Sequence, residues 1–387
     1  MSYNKRSTSQ WKIPLYKVST DEKDIMYVSN VLKRGTDWAI GPEIEKFETH
    51  LAKYTGRKYC IAFNSGTSAG HAALIALGIR AEFEVIVPSF TFIATANWPL
   101  MVQASPKFAD IETQTYGMDP KDLKSKISKK TKLIIPIHYA GLPRKIDETE
   151  EISKKKKLHL IEDASESFGA CINGRKIGTF GDITIFSFAA NKILTTGEGG
   201  ALTTNSKELY EKIKLIRSHG RQTNSRYFSS TQNPVYTSLG YNWRMSSITA
   251  ALGLSQLDKI EKMISMRRKN AQYLSSKLKK FKQIRLHSEP TGYKHVYQLY
   301  SILLPNSKIR AKLMSFLALK GIMSKIFFEP VHKTMFFKKI GYGAQNLPNT
   351  EKISGQILSL PMFPGLQSEE LNYMADSISE FFEHTDK

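Results

Sequence analysis

The sequence predicts an α/β protein in which a large N-terminal part surrounds a mainly parallel sheet and the C-terminal third forms a smaller unit. Three observations carry this. Short runs rich in β-branched and aromatic residues (KYCIAF, EVIVP, TKLIIPI, LHLIED, ITIFSF and ALTT) alternate with helix-like stretches from Lys58 to about residue 217, the pattern of strands joined by crossover helices. Ser246 to Lys280 then has few breakers apart from Gly253 and is rich in Leu, Ile, Met, Lys and Arg, so it reads as one or two long helices leaving the large domain. Beyond it stands one clear strand candidate, Tyr297 to Leu304, followed by helix-like KIRAKLMSFLALKG and SEELNYMADSISEFFEH, the latter with a capping-box-like start. The expected division is residues 1–245 for an N-terminal arm and large domain, and 246–387 for the linking helix and small domain.

Ahead of the first strand, Gly41 to Gly56 places apolar residues at helical spacing between a Gly-Pro and a closing glycine, as in an amphipathic helix. At 387 residues the chain exceeds the roughly 100–200 residues of one domain. No stretch reaches the roughly 18 apolar residues of a membrane span, and the N-terminus lacks the apolar run of a secretory signal. A cytoplasmic protein with no membrane partner is therefore expected. Cys60 and Cys171 have neither CxxC spacing nor enough company for a disulfide framework or zinc site; Cys60 lies in an apolar strand and is expected to be buried. No metal is expected. The net charge of +21 would suit a phosphate-rich partner. Its lysines, however, are spread over segments such as SKISKKTK and SKKKKL without the interleaved aromatics of a single-strand binder, so they read as a solvated basic surface with no nucleic-acid partner.

Three segments carry chemistry. NSGTSAGHAALIALG, from Asn64 to Gly78, follows a strand and opens a helix. Gly66 lets the backbone approach closely, and the helix N-terminus with Thr67 and Ser68 makes an anion cradle, although small residues capping a helix would look the same. It is neither a P-loop nor a GxGxxG turn. In LIEDASESFGA an apolar strand ends at Glu162 and Asp163, where a carboxylate faces the ligand crevice of an open α/β sheet and can pair with a cationic ring nitrogen, or else cap the next turn. In GDITIFSFAANKILTTGEGGALTT a strand delivers Ser187, and a short turn presents Asn191 and Lys192 among Phe186, Phe188, Ile193 and Leu194. Apolar surroundings favour the neutral amine that a Schiff base requires; a surface lysine with its stem on apolar ground is the alternative.

In order, SGTSAG, VPSFTFIATAN, IEDASESFG, GDITIFSFAANKILTTGEGG and LGYNWRMSSITAALGLSQL resemble the motif series of the sugar-nucleotide aminotransferases, the DegT/DnrJ/EryC/StrS family, from about Gly41 to Leu257. Weaker echoes are FFEPVHK and LPMFPGL. The resemblance implies a pyridoxal 5'-phosphate (PLP) enzyme of the type I transferase fold, with a seven-stranded sheet between helices and a smaller α+β domain. By position, Lys192 matches the lysine that bonds the cofactor covalently and Asp163 the acid that pairs with its ring nitrogen. Gly66, Thr67, Ser68 and Ser187 match phosphate contacts, and Phe92 the aromatic stacked on the ring. Asn242 matches a residue that reaches the neighbouring subunit's cofactor, which implies a homodimer with shared sites.

The resemblance further implies L-glutamate as amino donor, pyridoxamine phosphate as the amino-carrying form, and the keto group of a nucleotide-linked 4-keto-6-deoxy sugar as acceptor. Glu166 departs from the Gln or His that many members carry there, and with FFEPVHK it resembles the perosamine-synthase branch. Trp38, Arg244 and His332 are the candidate substrate contacts, and SHGRQTNSRYFSSTQNPVYTSLGYNWR, Ser218 to Arg244, the candidate substrate loop. Dehydratases of the family replace the lysine with histidine, so Lys192 points to transamination. Another ring ketone as substrate, and a nucleic-acid-binding or PLP-sensing regulator, are the alternative readings.

Overall fold

The computed structural model describes residues 11–222, 231 and 233–385. Helix α1 (Glu22–Arg34) starts in a capping box between Asp21 and Asp24 and ends at Gly35 in the left-handed conformation. Helix α2 (Pro42–Thr55) lies between Gly41 and Gly56 as expected. There follow β1 (Tyr59–Phe63), α3 (Gly66–Ala76), β2 (Glu84–Pro88), α4 (Ile93–Met101), β3 (Ser105–Ala109), α5 (Pro120–Lys126), β4 (Thr131–Ile134), α6 (Ile146–Lys156) and β5 (His159–Asp163). A small hairpin, β6 (Cys171–Ile172) and β7 (Arg175–Lys176), precedes β8 (Ile183–Ser187), β9 (Gly200–Thr204) and α7 (Lys207–Arg217).

Seven strands form one sheet in the order β1-β9-β8-β5-β4-β2-β3. Only β9 runs against its neighbours; the other pairs are parallel. The sheet is buried on both faces, which is why its strands read as continuous apolar runs. Ile86, Ile134 and Phe186 enter one core layer with Phe47 and Leu254, while Val85, Leu133 and Ile185 enter the opposite one with Leu74 and Trp98. The strand missing from the sequence reading is β3, whose SPKFA breaks the apolar run. It is an edge strand pairing only with β2, where Pro106 and Lys107 are tolerated.

A short antiparallel pair, β10 (Arg221–Gln222) with β11 (Val235–Tyr236), comes before α8 (Ser247–Asp258) and α9 (Ile260–Leu278). The rest comprises β12 (Arg285–Leu286), β13 (Tyr293–Lys294), β14 (Tyr300–Leu303), α10 (Ser307–Leu319), α11 (Met335–Lys339), α12 (Pro348–Gln356), β15 (Ile357–Leu360) and α13 (Ser368–Thr385). Strands β12, β14 and β15 form a three-stranded antiparallel sheet, the α+β unit expected. The helices expected to link the two parts pack on both. Leu254 and Leu257 of α8 and Ile264 of α9 belong to the large core, Ala271 of α9 belongs to the C-terminal core, and Val296, Val331 and Phe337 pack back against the large sheet. The N-terminal arm also crosses over: Ile13 lies in the C-terminal core and its N–H donates to the Gly321 carbonyl at 3.1 Å. Among the described residues no helix is long and apolar enough to cross a membrane. Cys60 is buried and both cysteines are free.

At the end of β5 the pleat sends Glu162 and Asp163 to opposite sides. Fully buried Glu162 accepts the N–H groups of Gly178, Phe180 and Gly181 and the Thr184 hydroxyl. The His138 Nε2 lies 3.3 Å from its Oε2 and Arg57 lies 3.8 Å from its Oε1. Burial alone would raise its pKa, but the His138 hydrogen bond and charge, the Gly181 N–H and Arg57 together hold it at about 2. Folded below its ordinary 4.5, this carboxylate stabilises the protein above pH 4.5 and loses that contribution as pH falls towards about 2. Glu162→Gln is expected to cost about 3–5 kcal/mol at pH 7, and to flatten the loss of stability between pH 4.5 and 2, as read by urea unfolding across that range.

Candidate active site

The carboxyl ends of β1, β2, β5 and β8, with the start of antiparallel β9, meet at one edge of the sheet, where an open α/β sheet presents its crevice. A cleft of about 500 Å³ opens there, walled on its other side by Met323, Lys325, Phe327 and Phe328 from the C-terminal unit. Asp163 lies in its wall and is 3% exposed. Its Oδ2 accepts the Thr95 hydroxyl at 2.6 Å and its Oδ1 accepts the Ser165 N–H at 3.1 Å. Thr95 is in turn 2.9 Å from the Thr91 hydroxyl, one helical turn back. These bonds fix the carboxylate's direction and leave it lone pairs for a ring N–H.

At the cleft's other end Ser65 caps α3 by accepting the Ser68 N–H at 3.1 Å, and among the described residues no acceptor takes the helix-terminal N–H groups of Gly66 and Thr67. Ser65, Gly66, Thr67 and Ser187 line the cleft. The cradle is tight: a Cβ on Gly66 would sit 3.1 Å from that of Ser187, and one on Gly200 would sit 2.4 Å from the Gly66 nitrogen. Ser68 is placed differently from the sequence expectation. Its hydroxyl donates to Asn64 Oδ1 at 2.6 Å, and it is buried behind the cap. It does not line the cleft.

Lys192 enters the cleft from the turn after β8, whose backbone closes through the Lys192 N–H to the Ala189 carbonyl at 2.9 Å. Phe186, Phe188, Ile193 and Leu194 are all buried, as expected. The sequence did not indicate that Glu166 would lie beside the amine, its Oε1 3.8 Å from Lys192 Nζ. The other carboxylate oxygen accepts the Ala140 N–H at 2.8 Å. Burial raises the Glu166 pKa above the usual carboxylate range, against the opposing charge of Lys192 and the Ala140 N–H. Phe92 lines the cleft and is 58% exposed, with its ring 6.2 Å from that of Phe328. An uncovered ring at this place has a face free to stack.

Four candidates lie elsewhere. Trp38, Asn242 and Arg244 do not line the cleft. The Trp38 carbonyl accepts the Ser247 N–H, Arg244 donates to the Ser218 hydroxyl at 3.1 Å, and Asn242 is exposed in a bridge with Ser218. His332, expected as a substrate contact, does not line the cleft either: it is fully buried, its Nδ1 2.6 Å from the Ser89 hydroxyl and its Nε2 3.3 Å from Glu351. Burial lowers its pKa. Of the candidate loop, residues 223–230 and 232 lie outside the described residues. Thr95, Tyr16 and Lys325 were missed. The first had a signal, since Thr91 and Thr95 stand four apart in VPSFTFIATAN.

An anion cradle, an exposed aromatic face, an anchored carboxylate and a lysine amine in one cleft fit a phosphorylated cationic ring that bonds an amine. Among the described residues no group of three or more His, Cys, Asp or Glu is placed to hold a metal ion. Residues 18–379 match the DegT/DnrJ/EryC1/StrS aminotransferase family, and the chain belongs to that family. It is an enzyme, a PLP-dependent aminotransferase. It is 36% identical over 371 residues to the GDP-perosamine synthase of Escherichia coli O157:H7, covering 96% of this chain and 98% of that one. It is 33% identical over 372 residues to the GDP-perosamine synthase of Vibrio cholerae, covering 96% and 99%. Among solved structures, Helicobacter pylori PseC, an aminotransferase involved in the biosynthesis of pseudoaminic acid, superimposes with a TM-score of 0.90 at 29% identity, covering 96% and 99%.

Gly200→Ala is expected to push the Gly66 backbone out of place, costing about 1–3 kcal/mol of stability and a larger share of cofactor retention. The first is read by thermal unfolding and the second by the PLP absorbance left after dialysis.

Proposed function

We propose that this enzyme transfers the amino group of L-glutamate to the C4 keto group of a nucleotide-linked 4-keto-6-deoxy sugar, with GDP as the nucleotide. The observation that carries the reading is the meeting of Lys192, Glu166 and Asp163 with the Gly66–Thr67 cradle in one cleft. The sugar-nucleotide acceptor is supported by the names of the two GDP-perosamine synthases above.

When bound, PLP supplies an aldehyde that exchanges amines and a ring that takes up the electron pair left when a proton leaves carbon. Gly66, Thr67, Ser65 and Ser187, which line one end of the cleft, would hold the phosphate. Asp163, fixed by Thr95 and Ser165, holds a proton at the ring nitrogen, and Phe92 covers the ring. Lys192 Nζ anchors the cofactor between turnovers. Once released, it takes the proton from the donor's α-carbon as general base. Glu166, 3.8 Å away, holds that amine in line. In the second half the same groups would serve the reverse proton movements at the sugar carbon.

A homodimer with shared sites is part of the proposal. Asn242 is exposed and outside its own cleft, as a residue serving a neighbour's cofactor must be, and Leu239 beside it is 80% exposed. The cytoplasm is the proposed compartment.

The test is an absorbance titration. Protein with PLP is expected to show a band at about 410–430 nm that glutamate converts to one at about 330 nm, and Lys192→Ala is expected not to cycle. Mass spectrometry of a GDP-4-keto-6-deoxyhexose incubated with the glutamate-treated enzyme should then find the 4-amino product. A pyridoxamine form that leaves this sugar untouched would reject the acceptor but not the transaminase.

A further inference from the structure

The geometry points to Lys325 as the cation that receives the anionic end of the substrate, an assignment that rests on the sugar-nucleotide reading above. Met323, Lys325, Phe327 and Phe328 line the cleft, and over 323–327 they alternate as in an extended segment with one face on the ligand. That segment is pinned on both sides. The Met323 N–H donates to the Ile13 carbonyl at 3.0 Å, and Lys325 and Ser359 exchange both backbone bonds, at 3.0 and 2.8 Å. The Cα of Lys325 is therefore as fixed as a residue inside a sheet.

The charges in the cleft sharpen the assignment. Its lining holds the acids Asp163, Glu166 and Glu198, and among the described residues its only cations are Lys192 and Lys325. Lys192 stands beside Glu166 and is engaged in the chemistry. The Lys325 ammonium lies 5.1 Å over the Phe327 ring, an arrangement that orients a cation without neutralising it, and no carboxylate among the described residues pairs with it. A nucleotide-linked sugar brings a diphosphate to a cleft rich in carboxylates, and glutamate brings carboxylates of its own. Either needs a positive charge that does not compete for the proton at the reacting carbon. Lys325 supplies it from the C-terminal wall, and the candidates Trp38, Arg244 and His332 do not reach that space. The shared chemistry is an anionic oxygen group, a phosphate or a carboxylate.

The test compares the PLP-loaded enzyme with Lys325→Met and Lys325→Arg. Calorimetric titration uses non-reacting probes: GDP, UDP and dTDP for the diphosphate, and glutarate for the donor. Lys325→Met is expected to weaken the nucleoside diphosphate by about tenfold to a hundredfold, with Lys325→Arg restoring most of it and thermal unfolding unchanged. A loss on glutarate instead keeps the anion-binding role and assigns it to the donor's carboxylate. Unchanged affinity for every probe in Lys325→Met overturns the inference. Wild-type enzyme that binds none of the nucleoside diphosphates rejects the sugar-nucleotide reading, and glutarate binding then decides the role of Lys325 by itself.

Discussion

The pleat at the end of β5 is the constraint on which both the fold and the site depend. Glu162 and Asp163 are adjacent carboxylates, and a strand sends neighbours to opposite faces. Glu162 is surrounded by donors from the 178–181 turn that leads into β8, so it fixes where β8 begins beside β5. The pairing of Asp163 with Ile185 then determines where Ser187 and the Lys192 turn emerge relative to the carboxylate in the cleft. A slip of one residue would put Asp163, with its shorter side chain, among Glu162's donors and send Glu162 into the cleft. The buried network and the site geometry therefore depend on a single register.

Strand β9 supplies the second constraint. Because it runs against β1 and β8, its first residue comes to the sheet edge where those strands end, and Gly200 pairs with both Phe63 and Ser187. Three backbones meet there, and only a residue without a Cβ lets the start of α3 close over them. The phosphate cradle is thus a product of topology as much as of the SGTSAG motif.

What was legible in the sequence was local. The apolar runs of β1, β2, β4, β5, β8 and β9 signalled buried strands, and Gly41 and Gly56 bounded α2, because each signal lies within its own segment. Strand β3 was hidden because an edge position tolerates Pro106, and β15 because ILSL is too short to stand out. At the site, Lys192, Asp163 and Gly66 were readable from motifs that carry their own strand and turn. His332, Trp38 and Arg244 could not be placed that way. Whether a side chain reaches the cleft depends on long-range packing, here of His332 on Ser89, from β2's carboxyl end. The same holds in reverse for Lys325, which lies ahead of FFEPVHK and whose segment gains its direction from Ile13 and Ser359.

The position of Glu166 shows how far this dependence reaches. Its carboxylate is held by the N–H of Ala140, a non-glycine residue at φ 59°, followed by Gly141 at φ 91°. Left-handed backbone at Ala140 costs on the order of 1 kcal/mol and persists only where its surroundings impose it. They do so from outside the large sheet: the Val296 N–H donates to the Gly141 carbonyl at 3.0 Å and the Leu299 N–H to that of Ala140 at 3.2 Å. Between them, Gln298 donates its side-chain amide to the Asn191 carbonyl at 2.7 Å, next to Lys192. The single segment 296–299 leading into β14 therefore grips both turns, the one that holds Glu166 and the one that carries Lys192, whose side chains lie 3.8 Å apart. A segment from outside the large sheet thus helps to build the cleft, and the lysine's electrostatic neighbourhood is decided about a hundred residues further along the chain than the motif that announces it.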